Sequence, residues 1–216
     1  MNDKQITALV GYVVMALAIV LLVGGAVLPS GFFKGMSTVT SATIVAVAAF
    51  DRWLWRWRPL QGWFVKRPYV GGTWRVRLQS SWIPNGKDQP VDVTGYLVVR
   101  QTFLRLSVRL LTKESSSRLR GAEVIGDGDD AFSIAAVYVN EPKYSVRERS
   151  PIHHGALVLA VKGSPPSILE GHYWTDRATS GEMQASQRRL DVYDTYDGAE
   201  AAYLAEGVPT RESQIA

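Results

Sequence analysis

The chain has 216 residues, no cysteine, and 24 Lys and Arg against 20 Asp and Glu, for a net charge of +4. The missing thiols exclude disulfides, cysteine-ligated zinc, iron–sulfur clusters and thiol catalysis. Much of the small basic excess lies beside an apolar N-terminal region, where anionic lipid headgroups account for it, so it is not the signature of a protein that binds a nucleic-acid polymer.

A first candidate span runs from Ile6 to Leu28 without a charged side chain. About 20 apolar residues are enough to cross the hydrocarbon core as a helix. The run is too long for a secretory signal and ends without a small-x-small cleavage site. Pro29-Ser30-Gly31 reads as a break, and Phe32, Phe33 and Lys34 complete a short connector. The second span, about residues 35–55, is more polar: Thr38, Thr40, Ser41 and Thr43 dilute it. It gains length through Trp53, Leu54 and Trp55, because Trp is favoured at the interface and Arg52 can snorkel to the headgroups. Asp51 is expected at the boundary, paired with Arg52 or Arg56. Arg52, Arg56, Arg58, Lys66 and Arg67 cluster after the second span, Lys4 precedes the first, and Lys34 is the connector's one basic residue. This bias predicts a multi-pass hairpin over residues 1–57 with both termini cytoplasmic. Residues 58–70, rich in Trp, Arg and Pro, form a juxtamembrane linker along the interface.

Over residues 71–190 the pattern changes to period two, with turn residues between short apolar runs, the signature of an antiparallel all-β domain. Eight strands are predicted: Thr73–Gln79, Val91–Gln101, Phe103–Thr112, Ser115–Ile125, Ala131–Asn140, Gly155–Val161, Ile168–Arg177 and Glu182–Arg189. Mostly hairpin-length connections favour an eight-stranded up-and-down β-barrel over a β-sandwich. Such a barrel has no sheet edge and can hold one small ligand. The turn around Pro84-Asn85-Gly86 joins the first two strands. Asp127, Asp129 and Asp130 lack the spacing and terminal Glu of a calcium loop and read as a hairpin turn. The tail, residues 191–216, contains one short helix near Gly198–Ala205 packed on the barrel, then a polar end.

The stretch richest in chemistry is Leu169 to Arg177. Alternate residues of a strand share a face, so Gly171, Tyr173, Thr175 and Arg177 point one way and His172, Trp174 and Asp176 the other. If the first set faces the interior, its ring, hydroxyl and guanidinium need polar partners. A ligand with rings to stack and phosphates to pair supplies them. If the second set faces inward, Trp174 is core and the Arg177 face is solvated. Periodicity leaves both open. His153 and His154, being adjacent in a strand, point apart and do not readily share a metal. Ser115-Ser116-Ser117-Arg118 reads as a solvated strand start. No Gly-rich phosphate loop or Ser nucleophile elbow is present, so neither an enzyme nor a cofactor is indicated.

The chain resembles the two-transmembrane, β-strand-rich effectors of bacterial CBASS anti-phage operons. The resemblance rests on Gly72-Thr73-Trp74, Arg100-Gln101-Thr102-Phe103, Ser115-Ser116-Ser117-Arg118, Tyr138-Val139-Asn140-Glu141-Pro142, His153-His154-Gly155, and Gly171-x-Tyr173-x-Thr175-x-Arg177-x-Thr179-x-Gly181, in that order behind two predicted spans. It implies a minimal lipocalin-like barrel that binds a cyclic dinucleotide made by the operon's nucleotidyltransferase, which is a functional partner only. Binding would promote self-association into oligomers, and the bundled hairpins would disrupt the bacterial inner membrane, killing the infected cell. The family pattern assigns Trp74, Tyr173, Thr175 and Arg177 to the pocket, with Ser117, Arg118, Tyr138 and His154 as further candidates. In that assignment Trp74 or Tyr173 stacks a base, Arg177 pairs a phosphate and Thr175 hydrogen-bonds the ligand.

Two other functions compete. A membrane-tethered lipocalin-like carrier of a lipid or other small apolar ligand predicts an apolar interior and no toxicity. A membrane-bound hydrolase predicts turnover that depends on His153 or His154.

Overall fold

The computed structural model describes residues 30–83, 92–126, 128 and 131–207. The first predicted span, the Pro84-Asn85-Gly86 turn, Asp127, Asp129, Asp130 and the end of the tail lie outside them. The chain divides into two compact units, Met1–Trp55 and Arg56–Ala216.

In the first unit, helix α1 covers Ser30–Arg52. It begins five residues before the expected second span, so the connector residues Gly31 to Lys34 are helical. Ser is a favoured helix-start residue, so the same three residues that read as a break can begin a helix. Ile44, Val45 and Val47 are exposed on α1. Among the described residues no helix is long and apolar enough to cross a membrane.

In the second unit the eight predicted strands all form: β1 (Gly72–Ser80), β2 (Asp92–Gln101), β3 (Leu106–Thr112), β4 (Ser115–Gly126), β5 (Phe132–Pro142), β6 (His153–Lys162), β7 (Ile168–Thr175) and β8 (Ser180–Arg189). Each pairs antiparallel with its sequence neighbour, and β8 returns to β1, closing the barrel. A sandwich is excluded. The limits differ most at β3. The Thr102 amide donates to Arg105 O at 2.9 Å and the Arg105 amide to Thr102 Oγ1 at 3.0 Å, so Phe103 and Leu104 sit in a turn although their apolar character continues the strand pattern.

Period-two alternation sends one residue in two inward. Trp74, Leu97, Ile134, Leu159, Leu169 and Met183 are all essentially fully buried in one interior cluster. Burying each such side chain stabilises the fold by about 1.5–3 kcal/mol. Eight strands enclose a space just wide enough for side chains to fill, so the middle of this barrel is packed core. The ligand-sized lumen expected from the sequence is taken up there by the protein's own residues.

Two seams are not plain ladders. β3 and β4 share a single residue pair, Leu111–Ser116, and side chains close the rest. Ser117 Oγ accepts the Leu110 amide at 2.7 Å, and Arg109 Nε donates to Ser116 Oγ at 3.2 Å. β4 also shifts register between Leu119 and Gly121. On the outer wall, helix α2 (Tyr196–Gly207) packs Ala199, Tyr196 and Tyr203 on Tyr96, Val98 and Leu111. The expected tail helix is thus present and docked. Tyr203 Oη donates to Thr73 O at 2.7 Å, which ties the helix to the start of β1.

Candidate functional site

The antiparallel order gives the barrel two unlike ends. At one, β1 starts and β8 finishes. At the other, the mouth, β5 and β7 finish and β6 and β8 start. Interior positions near the mouth turn polar. Across β4, β5 and β6 the aligned residues are Ser117, Asn140 and His153. In the next row Tyr138 aligns with Gly155, and Gly155 with Thr175. Below that, Tyr173 aligns with Leu157 and with Gly181. Leu157 is buried in the core cluster, and Tyr173 packs against it. The face of Gly171, Tyr173 and Thr175 is therefore the interior one, and Trp174, 45% exposed, is outside.

Both mouth tyrosines lie against glycines. A β-carbon at Gly155 would come within 2.5 Å of Tyr138 Cζ and Oη, and one at Gly181 within 2.9 Å of Tyr173 Cε1. Only a residue without a side chain lets each ring lie back on the wall. Burial, and secondarily the neighbouring Tyr173, push the Tyr138 hydroxyl up to about 12.

Arg177 stands in the turn between β7 and β8. The Thr175 amide donates to Thr179 O at 2.9 Å, the Thr175 and Thr179 hydroxyls are 2.6 Å apart, and Ala178 takes φ +56°. A left-handed L-residue costs about 1–2 kcal/mol, so the turn holds Arg177 at an energetic cost. Arg177 Nη1 donates to Ser150 Oγ at 3.0 Å and lies 3.5 Å from His153 Nδ1. That nitrogen is also 3.0 Å from Pro151 O, so each tautomer of His153 satisfies one neighbour. Among the described residues, carboxylates pair with Arg77, Arg100, Arg118, Arg149, Lys162 and Arg189, and none with Arg177. A half-buried guanidinium with no carboxylate beside it retains its capacity for a bidentate anion.

The other sequence candidates distribute as follows. Tyr138, Tyr173, Thr175 and Arg177 meet at the mouth. Ser117 is buried there, but its hydroxyl already serves the β3–β4 seam. Arg118 points outward and pairs with Glu141 at 3.0 Å. His154 also points outward, 3.2 Å from Asp176, whose carboxyl is held below the usual range chiefly by the His154 backbone amide. Trp74 is interior but belongs to the opposite end. It stands near the start of β1, whose far end, Ser80, aligns with Gly181 beside Tyr173. Trp74 Nε1 donates to Val70 O at 2.9 Å and its ring stacks under Arg188 at 5.3 Å. The sequence singles out His153 only as a metal or hydrolase candidate and Asn140 only inside a family motif, and it does not point to Ser150. Strand parity was the available signal, since His153 stands two residues before Gly155.

Two grooves lie on the outer wall. One, across β1, β8 and β7, carries Glu170 and Glu182 beside Arg77 and His172; the two carboxylates repel an anion. The other is lined by Arg75, Arg188 and Arg189 near Tyr203. Arg188 there donates twice to Gly71 O, at 2.9 and 2.7 Å, and Arg189 Nη1 to Ala202 O at 3.2 Å, so these cations are committed within the fold.

Residues 65–187, more than half of the chain, match the family model described as Cap15, cyclic dinucleotide receptor domain. The chain belongs to this family. It is the CBASS effector family that the sequence resembles, and the barrel is its cyclic dinucleotide receptor. Among curated proteins, none matches the chain. The match ends at Gln187 and so takes in every mouth residue named above. A Cap15 receptor domain is a binding domain, and the mouth brings together the Arg177 guanidinium, the rings of Tyr138 and Tyr173, and the Thr175 hydroxyl.

Proposed function

We propose that this Cap15 receptor takes its cyclic dinucleotide at the polar mouth and binds it without turnover. Arg177 pairs a phosphate of the diester ring, Tyr173 and Tyr138 offer ring faces to the bases, and Thr175 and His153 supply hydrogen bonds. The observation that carries the reading is Arg177, half-buried beside Ser150 and His153 without a carboxylate. A ligand filling the barrel axis, as in the lipid-carrier alternative, would have to displace the buried cluster of Trp74, Ile134, Leu159 and Met183. Calorimetry of the full chain in detergent against cyclic di-AMP, cyclic di-GMP, cyclic GMP–AMP and cyclic di-UMP, with Arg177→Ala alongside, tests this.

The membrane part of the reading rests on the sequence. Residues 1–57 form a hairpin in the bacterial inner membrane with both termini cytoplasmic, and ligand binding promotes self-association that breaches the bilayer and kills the infected cell. The uncharged run Ile6–Leu28 and the basic residues from Arg52 to Arg67 support this. So does the exposure of Trp57, Trp63 and Phe64, side chains suited to the headgroup layer. Dye-loaded vesicles carrying the full chain should leak when the bound cyclic dinucleotide is added and stay sealed with Arg177→Ala. Leakage that ignores ligand would sink the coupling.

A further inference from the structure

Outside the mouth, the walls of the barrel differ sharply. On β1 the outward residues are Arg75, Arg77 and Gln79, all exposed, as a solvated wall requires. On β5 and β6 they include Ala135, Val137, Ala156, Val158 and Ala160, with Glu141, His154 and Lys162 towards the strand ends. Register joins these into rows. Gly121, Val137, Ala156 and Trp174 align across four strands, and in the next row Ala135 and Val158 align between Glu123 and His172. Val137 is 51% exposed and Trp174 45%. The row also lacks a side chain at Gly121, where an added β-carbon would meet nothing within 4 Å. The result is a flat apolar shelf with an open step at one side.

We propose that this outer face of β4 to β7 is the surface through which one copy of the chain docks on a second copy. Charge argues for that occupant. The shelf is bordered by ion pairs of both signs: Arg118 with Glu141 at 3.0 Å, His154 with Asp176 at 3.2 Å, and Lys162 with Glu170. Arg120 and Glu123 on the bulged strand add one more charge of each sign. A balanced rim suits a two-fold copy of itself, in which each cation can meet the other copy's anion. Anionic lipid would instead select a basic rim.

Area argues for a switchable contact. Three strand spacings by three rows give on the order of 300 Å², against about 800 Å² per partner in a stable interface. The face is too small to hold dissolved copies together. It suffices when tethering in one membrane raises the effective concentration. The proposal rests on the self-association described above and assigns it a surface.

The absence of cysteine from the chain makes the test clean. Near a two-fold axis the same residue meets its own copy, so Val137→Cys in the full chain, reconstituted in vesicles, should form a disulfide-linked dimer under copper–phenanthroline. The yield should rise several-fold with whichever of the four cyclic dinucleotides the protein binds. Arg77→Cys on the opposite wall should not crosslink. Adding Gly121→Arg to Val137→Cys should abolish the dimer while calorimetric ligand binding stays unchanged, because the fold has room for that side chain. Equal crosslinking at residue 77, or a dimer that survives Gly121→Arg, overturns the proposal. So does ligand-driven leakage without a residue-137 crosslink, which leaves the receptor reading intact. Lost ligand binding in the parent chain would strike that reading alone, since crosslinking at high protein density still reports on the face.

Discussion

The ring of Tyr138 lies so close to the Gly155 backbone that a β-carbon at 155 would come within 2.5 Å of its Cζ and Oη. The same relationship recurs between Tyr173 and Gly181, two strands on. One feature separates the pairs. At Gly155 the obstacle is the far end of a side chain, which can swing away. At Gly181 the added atom would also meet Gln79 O at 2.0 Å, a backbone atom of β1. Gly155→Ala should therefore cost little stability but push the Tyr138 ring into the mouth and weaken cyclic dinucleotide binding. Gly181→Ala should destabilise the barrel by about 1–3 kcal/mol, as overpacking does. Urea midpoints and calorimetry on both variants distinguish these outcomes; an unchanged affinity for Gly155→Ala would remove Tyr138 from the site.

Ser117 separates a binding role from a structural one. Its hydroxyl accepts the Leu110 amide at 2.7 Å, where β3 and β4 share one residue pair. Ser117→Ala leaves that buried donor unpaired, at a cost of about 1–3 kcal/mol. The denaturation midpoint should fall while ligand affinity holds. A loss of affinity at constant stability would make Ser117 a ligand contact instead.

Alkaline pH should unfold the protein partly through Tyr138. Its hydroxyl titrates at 10.0 in the unfolded chain and at about 12 in the barrel, mainly through burial. Below about pH 10 both states are neutral and stability is intact. As pH rises toward 12, the unfolded state loses its proton first, and stability falls by about 2–3 kcal/mol on this group's account. Denaturant titrations at about pH 9 and about pH 11.5 should show the drop, and Tyr138→Phe should reduce it. An identical drop in the variant would assign the effect to the other raised tyrosines, Tyr96, Tyr196 and Tyr203.

The fold was legible because period-two alternation interrupted by Gly, Pro and Asp is a direct image of a hairpin-connected sheet. Its failures have local causes. Phe103 and Leu104 extend the apolar pattern into a turn that Thr102 and Arg105 hold by hydrogen bonds, which hydropathy does not register. The interior face of β7 could not be chosen from periodicity, since each face of β7 carries an aromatic ring. The deciding facts, Tyr173 resting on Gly181 and against Leu157, are pairings between strands. The same holds for the histidines. The resemblance pointed to His154, whereas strand parity turns His153 toward Arg177. Trp74 is interior, yet it stands near the start of β1, where Val70 and Arg188 engage it, contacts that no single strand reveals.

Arg177 carries the central claim, and the most direct test is calorimetric titration of the full chain with the four cyclic dinucleotides, wild type beside Arg177→Ala. The account predicts saturable binding of at least one ligand and at least a tenfold weaker affinity in the variant, about 1.4 kcal/mol or more, with the thermal midpoint nearly unchanged. Equal affinity in a folded variant would contradict the mouth as the phosphate site and turn attention to the arginine-lined groove beside α2.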